Sequence, residues 1–153
     1  MNLTLCPAKE SDFDFSFIAK SKAMRPHIEP HWGWDEAWQL ALHTQRWGEK
    51  PWFVIMLDKL AIGTVSILND AESCRLGEFY LLPQYQGKGI GSLVLTQVLA
   101  SCDELQLSIR LEYLKWNPVG ALYKRNGFVA VSENEIHYFL VRSPAKVLPT
   151  TVA

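Results

Sequence analysis

The feature that most constrains this chain is a glycine-rich loop, Gln86-Gly87-Lys88-Gly89-Ile90-Gly91, which lies between a predicted strand and a predicted helix. A helix begins with several backbone N–H groups that lack partners, and its dipole adds partial positive charge there. Glycines let the chain turn sharply and let an anion approach the backbone closely. The loop therefore predicts a phosphate site made of main-chain amides, to which Lys88 adds a charge. The alternative is a tight strand-to-helix turn that binds nothing.

Two common phosphate-binding motifs do not fit this loop. The GxxxxGK[ST] pattern of P-loop proteins is absent from the sequence. The dinucleotide fingerprint fits poorly, because Ser92 stands where its third glycine belongs and the loop lies in mid-chain. A Rossmann-like nucleotide-binding protein is therefore the least favoured interpretation of this loop.

Hydrophobic periodicity predicts the elements around the loop. Pro26 and Pro30 are expected to end the first helical pattern, and Trp38, Leu42 and Gln45 share one side of the second helix. The element order predicts a mixed α/β sheet of six or seven strands, with helices on both faces and a central βαβ crossover. The predicted strands are Asn2–Pro7, Trp52–Leu57, Ala61–Leu68, Cys74–Leu82, Leu107–Leu114, Phe128–Ser132 and Ile136–Arg142, and the predicted helices run from Ser11 to Met24, Asp35 to Gly48, Ser92 to Ser101 and Pro118 to Asn126.

Length and composition bound the class of protein. The 153 residues fit one domain, which we place at residues 1–143, followed by a flexible tail at 144–153 that contains two prolines. A net charge of -1 gives no reason to expect nucleic acid or an anionic membrane as a partner. Signal-peptide and membrane-spanning patterns are absent, and Cys6, Cys74 and Cys102 are widely spaced, as in proteins with reduced thiols. We therefore predict a cytoplasmic protein.

A second segment, Asn117-Pro118-Val119-Gly120-Ala121-Leu122-Tyr123-Lys124-Arg125-Asn126-Gly127-Phe128, follows the loop by about 26 residues. The loop resembles the acetyl-CoA signature Q/R-x-x-G-x-G/A of the GNAT superfamily of N-acetyltransferases, and this segment resembles the family's N…A…LY…GF stretch. The resemblance extends from about Val65 to Arg142. Many members have the tyrosine seven residues after the asparagine, whereas Tyr123 follows Asn117 by six.

The resemblance implies how acetyl-CoA would be held. The pyrophosphate would bind the amides of Gly87 to Ser92, and the pantetheine arm would pair with the backbone of Phe79 to Leu81 like an added strand. Tyr123 would protonate the leaving thiolate as a general acid, the alternative being a helix residue that packs on the sheet. The implied co-substrate contacts are Phe79, Tyr80, Leu81, Gln86, Gly87, Lys88, Gly89, Ile90, Gly91, Ser92, Asn117 and Tyr123.

The chemistry also needs a base and an oxyanion donor. An amine with a pKa of about 10 is mostly protonated at neutral pH, so proton removal assists its attack on the thioester. Glu112 and Glu78 are the candidate bases, and the alternative for each is a solvated or salt-bridged carboxylate. A backbone N–H of the strand from Phe79 to Leu82 would stabilise the oxyanion. No step requires a metal.

The stretch from His27 to Glu36 is the most unusual part of the sequence. Aromatic rings and carboxylates together suit a cationic amine, so we hypothesise that Trp32, Trp34 and Asp35 line the acceptor site. The alternative is that the tryptophans cover the core and that Asp35 caps the second helix. His27 and His31 lie four residues apart, but Pro30 disfavours a helix between them, so no metal pair is expected.

These patterns lead to one expected function and one alternative. The expected function is transfer of an acetyl group from acetyl-CoA directly to the primary amine of a small molecule or peptide, through a ternary complex. The alternative is an acyl-CoA-binding module that senses or scaffolds without turnover. A homodimer is compatible with the resemblance, since dimers are common in this family.

Overall fold

The computed structural model describes residues 2–145. The predicted tail at 144–153 lies outside the described residues from position 146 onward, and its flexibility stays a prediction. The strands are β1 (Leu3–Pro7), β2 (Trp52–Leu57), β3 (Leu60–Asn69), β4 (Ser73–Leu81), β5 (Ser108–Leu114), β6 (Val129–Glu133) and β7 (His137–Arg142), and the helices are α1 (Phe13–Trp32), α2 (Glu36–Trp47), α3 (Ile90–Glu104) and α4 (Gly120–Arg125).

The strands form one sheet in the order β1-β2-β3-β4-β5-β7-β6. The pairs β1–β2, β2–β3, β5–β7 and β6–β7 are antiparallel, and β4 pairs with β5 in parallel. Helix α3 connects these two parallel strands, which makes the predicted βαβ crossover. The predicted mixed α/β sheet is therefore confirmed, with seven strands in residues 2–145.

Contacts divide the described chain into two compact units. The first contains residues up to 68 together with 76–94, and the second contains 69–75 and 95 onward. The assignment of residues 1–143 to a single domain stays a prediction. Among residues 2–145, no helix is long and apolar enough to span a membrane.

The core of the first unit is built on β3, whose residues 62–66 are all buried. A central strand is covered on both faces, so its sequence does not alternate strictly between apolar and polar residues. Gly63 is needed in this strand because a Cβ there would overlap the carbonyl oxygen of Tyr80. The glycine therefore allows β4 to approach β3 closely.

The core of the second unit packs α3 and β5 together with Cys74 and Leu140. Cys74 and Cys102 are buried free thiols, as expected for small apolar residues. Arg142 donates two hydrogen bonds to Asp103, of 2.8 and 3.1 Å, and this bidentate pair fastens β7 to α3.

The predicted end of the first helix at Met24 is wrong. Helix α1 continues through Pro26 and Pro30 to Trp32, and it ends at Gly33, whose N–H donates to the Glu29 carbonyl. The carbonyl groups that lose a helical partner belong to Lys22 and Pro26, which are exposed, so water can take the place of the missing N–H groups.

Two further expectations about α1 also differ from the structure. Ser11, at which the first helix is predicted to begin, lies in a short 3₁₀ turn, Glu10–Asp12, and α1 begins at Phe13. His27 and His31 lie one turn apart on the same helix, contrary to expectation. Even so, residues 2–145 contain no group of three or more His, Cys, Asp or Glu side chains placed to hold a metal.

The side of α2 that carries Trp38, Leu42 and Gln45 is not the side that is buried. Trp38 is 60% exposed and Gln45 is exposed, whereas the buried residues of this helix are Gln39 and His43. Hydrophobic periodicity points to the wrong side because the stripe that α2 buries is polar.

Candidate active site

The glycine-rich loop leads directly into α3, which begins at Ile90 rather than at Ser92 as predicted. Gly87 and Gly89 have φ angles of 70° and 80°, a conformation that favours glycine. Among the described residues, no atom lies within 4 Å of a Cβ built at either position, so the space beside both glycines is open. An exposed loop with this backbone, at the start of a 15-residue helix, fits an anionic group.

The loop is tied to the end of β4. The Gln86 side-chain amide donates a hydrogen bond of 2.8 Å to the Leu81 carbonyl. This contact fixes the first residue of the signature against the strand whose backbone, Phe79 to Leu81, is expected to pair with pantetheine. Within the loop, Lys88 is exposed, whereas Ile90, the first residue of α3, is buried.

Strand β4 is distorted at Glu78, whose φ angle of 45° is rare for a residue with a Cβ. The Thr64 hydroxyl donates to the Glu78 carbonyl at 3.0 Å. Backbone strain of this kind persists only where the surroundings impose it, and it is concentrated at functional sites. The distortion therefore makes Glu78 a candidate functional residue.

Glu78 is 8% exposed, and its carboxylate is well paired. Lys50 Nζ lies 3.0 Å from it, Arg46 Nε lies 3.8 Å from it, and the Tyr80 hydroxyl donates to it at 2.7 Å. Burial raises the pKa of Glu78, but Lys50, Tyr80 and Arg46 together outweigh burial and hold that pKa below its ordinary value. The side chain is therefore an ionised acceptor at neutral pH.

Beside Glu78, the first two helices bury a set of polar side chains that we call the buried polar cluster: Ser16 and Lys20 of α1 with Gln39 and His43 of α2. The Ser16 hydroxyl donates to the Phe13 carbonyl at 2.6 Å and lies 2.7 Å from His43 Nε2. A hydroxyl has one proton to donate, so Nε2–H is the donor to Ser16 and Nδ1 is left as an acceptor.

The His43 ring is enclosed by aromatic side chains. Its centroid lies 5.3 Å from that of Phe13, 5.4 Å from that of Phe17 and 5.1 Å from that of Trp52. Burial, together with the charge of Lys20, lowers the pKa of His43 to about 4. The imidazole is therefore neutral at pH 7.

Lys20 is the least expected member of the cluster, since its side chain is charged and only 2% exposed. Burial and the charge of Arg46 lower the pKa of Lys20, and the charge of Glu78 partly offsets this decrease. The resulting pKa is about 8. Sequence reasoning missed this cluster. The available signal was a pair of polar residues four positions apart in each of two predicted helices, Ser16 with Lys20 and Gln39 with His43. Residues at this spacing share one face of a helix.

In the second unit, Tyr123 is buried in an aromatic group. Its ring centroid lies 5.7 Å from that of Tyr113 and 5.6 Å from that of Phe128. Burial, and secondarily Tyr113, raises the pKa of Tyr123, so the phenol keeps its proton at neutral pH. Gly120 permits this packing, because a Cβ there would lie 2.5 Å from the Tyr113 hydroxyl. Asn117 follows β5, and its N–H donates to the Leu114 carbonyl.

Glu112 also lies in the second unit, on β5. It is exposed and accepts a hydrogen bond of 2.7 Å from Arg75. This geometry matches the salt-bridged alternative considered for this carboxylate.

The three residues expected at the acceptor site lie between α1 and α2. Asp35 accepts a hydrogen bond of 3.0 Å from the Trp38 N–H and caps α2, as the alternative proposed. Trp34 Nε1 donates to Glu36 at 2.6 Å, and the Arg25 guanidinium lies 5.8 Å from a Trp34 ring centroid. Trp32 is 55% exposed.

Comparison with protein families gives one clear match. The family of the acetyltransferase (GNAT) domain matches residues 48–130, more than half of the chain. That segment contains the loop, β4 and the segment around Tyr123. No curated protein matches the chain.

Solved structures of N-acetyltransferases share the fold. The PaiA N-acetyltransferase of Thermoplasma acidophilum, in complex with coenzyme A, is 16% identical, with a TM-score of 0.76 over 94% of this chain and 99% of that one. The ribosomal-protein-S18-alanine N-acetyltransferase of Escherichia coli is 13% identical, with a TM-score of 0.71 over 97% and 98%. PseH of Campylobacter jejuni, in complex with acetyl coenzyme A, is 16% identical, with a TM-score of 0.62 over 94% and 100%. At these identities the similarity shows the fold.

Proposed function

Because the chain belongs to the GNAT acetyltransferase family, we propose that it transfers the acetyl group of acetyl-CoA directly to a primary amine. The observation that carries this proposal is the loop at the start of α3, where Gly87 and Gly89 adopt positive φ angles beside open space. Its exposed amides suit the pyrophosphate, and Lys88 adds a positive charge. Two of the neighbours described above contain coenzyme A or acetyl coenzyme A, which is consistent with this choice of co-substrate.

We assign proton removal from the amine to Glu78 rather than to Glu112. Both carboxylates are salt-bridged, but Glu78 is buried at a strained position of β4, whereas Glu112 is exposed. The Glu78 carboxylate would hold the incoming amine and accept its proton as the bond to the thioester carbon forms. Backbone N–H groups of Phe79 to Leu81 would stabilise the oxyanion.

The family resemblance gives Tyr123 the role of general acid. Its raised pKa means that the phenol carries its proton at neutral pH, as a proton donor must. No cysteine nucleophile is part of the proposal, since Cys74 and Cys102 are buried and the pKa of each is raised, first of all by burial. Transfer therefore proceeds through a ternary complex.

Two measurements on the whole chain test the proposal. Calorimetry should detect binding of coenzyme A, and thiol release from acetyl-CoA should appear with at least one member of a panel of amines. Tyr123→Phe should keep coenzyme A binding and lower kcat by about tenfold or more. Absence of coenzyme A binding by folded protein would overturn the assignment.

The alternative, an acyl-CoA-binding module without turnover, predicts a different result. Such a module binds coenzyme A but releases no thiol with any amine, and Tyr123→Phe changes nothing. The homodimer and the cytoplasmic location stay predictions, as does the choice between a small molecule and a peptide as acceptor.

A further inference from the structure

The buried polar cluster contains more polar atoms than it satisfies. Within residues 2–145, Lys20 Nζ, Gln39 Oε1 and His43 Nδ1 are buried and have no hydrogen-bond partner. A buried polar group without a partner destabilises the fold, and an unpaired buried charge does so most strongly. Three such atoms on facing helices indicate that a molecule outside the chain completes the cluster.

The sign of the local charge indicates what that molecule carries. Lys20, Arg46 and Lys50 are cations, Glu78 is the anion among them, and His43 is neutral at pH 7. Glu78 contacts Arg46 and Lys50 directly, and it raises the pKa of Lys20 less than burial and Arg46 lower it. These four charged side chains, Lys20, Arg46, Lys50 and Glu78, therefore carry more positive than negative charge. Water could satisfy the hydrogen bonds of Lys20 but would not neutralise its charge.

Exposure of the cations shows how a ligand could enter. The Arg46 side chain is 38% exposed and that of Lys50 is 21% exposed, whereas Lys20 and His43 are fully buried. Arg46 and Lys50 thus connect solvent with Glu78, and Lys20 is coupled electrostatically to Arg46 and Glu78. Glu78 is the carboxylate to which we assign proton removal.

We propose that the acceptor amine also carries an anionic group, a carboxylate or a phosphate, and that Lys20 and Arg46 bind this group while the amine lies at Glu78. The inference rests on the proposed function and adds the substrate class to it. Gln39 Oε1 and His43 Nδ1 are acceptors, so they do not bind the anionic group itself but accept hydrogen bonds from N–H or O–H groups elsewhere on the same molecule. Lys20 is a specificity residue, and its charge distinguishes such acceptors from simple amines.

This assignment differs from the hypothesis based on Trp32, Trp34 and Asp35. That hypothesis favours a cationic acceptor, bound by aromatic faces and a carboxylate. In the structure Asp35 is used as a helix cap and Trp34 Nε1 is paired with Glu36. The two hypotheses predict opposite preferences between amines with and without an acidic group.

The test uses acceptors in matched pairs that differ in the anionic group. Phenylalanine is compared with phenethylamine, ornithine with putrescine, and O-phosphoethanolamine with ethanolamine. The kcat/KM measured by thiol release should be about tenfold higher, or more, for the anionic member of at least one pair. The first two pairs report on a carboxylate and the third on a phosphate.

Lys20→Met tests the residue, and Lys22→Met is the matched control on the exposed side of the same helix. Lys20→Met should bring the ratio within a pair close to one by raising the KM of the anionic member, with the KM of acetyl-CoA unchanged. Lys22→Met should leave the ratio as in wild type. Without ligand, Lys20→Met should raise Tm, because it removes an unpaired buried charge.

A binding measurement separates this inference from the proposed function. The anionic member of a pair should raise the Tm of the wild-type protein in the presence of coenzyme A, and Lys20→Met should abolish this effect.

If thiol is released equally with both members of every pair, or if Lys20→Met keeps the preference, the inference is wrong and the proposed function stands. If no amine releases thiol but Lys20-dependent binding is measured, the proposed function fails and the anion site stands. If Lys20→Met raises Tm while no anionic amine stabilises the wild type, the cluster holds water only and the inference is overturned.

Discussion

At the scale of single residues, Glu78 combines a strained backbone with a buried, ionised carboxylate. We predict that Glu78→Gln lowers kcat by about a hundredfold, since the amide cannot accept the proton of the amine. Glu112→Gln is the control, because Glu112 is exposed and salt-bridged, and it should leave kcat within about twofold. Steady-state kinetics with the best amine of the panel measures both. Equal losses for the two variants would contradict the assignment of Glu78.

His43 gives a prediction about pH and stability. Its pKa is about 4 in the folded protein, against 6.5 as the ordinary value. Between these values the unfolded state binds a proton that the folded state does not, so stability falls as pH decreases from 6.5 to about 4. The loss should be on the order of 2–3 kcal/mol.

The measurement is urea unfolding at several pH values, compared with His43→Gln. The glutamine amide can replace Nε2–H toward Ser16 but does not titrate. The variant should therefore lack the part of the acid-induced loss that falls between pH 4 and 6.5. Superimposable stability curves for both proteins would show that His43 is not the titrating group.

At the scale of elements, α2 depends on the cap at Asp35. Asp35→Ala should destabilise the fold by about 1 kcal/mol, whereas Asp35→Asn should retain most of the stability because asparagine caps equally well. The acceptor KM of Asp35→Asn should equal that of wild type. A large increase in KM with unchanged stability would instead support Asp35 as a ligand of the amine, so denaturation and kinetics are measured on the same preparations.

The elements also show why some boundaries were predictable. Strand β2, Trp52–Leu57, has the predicted bounds, since turn residues flank its apolar run. Helix α1 was predicted too short because prolines usually end helices, but the two prolines of α1 leave their orphaned carbonyls at exposed positions. The rule concerns the hydrogen bond, and solvent exposure decides whether its loss matters.

At the scale of the whole molecule, acetyl-CoA binding should appear as stabilisation of the folded chain. Coenzyme A at about a hundred times its Kd should add about 2.7 kcal/mol, while NAD and ATP should add little. Gly89→Ala is the control variant, because its φ of 80° strains any residue with a Cβ and a methyl group would enter the open space. Thermal unfolding of both proteins with each nucleotide tests this, and stabilisation by NAD or ATP as large as that by coenzyme A would argue against the family's ligand.

The sequence by itself determined the strands, the crossover and the loop, because these depend on local backbone preferences and on glycines with positive φ. It did not determine which side of α2 is buried. It also did not reveal that Ser16 meets His43 from 27 positions away, or that Lys20 lies near Glu78 and Arg46. Hydrophobic patterns report apolar burial, whereas these polar contacts join distant segments and arise only when α1 and α2 pack together. Only the tertiary structure therefore decided the chemistry beside Glu78.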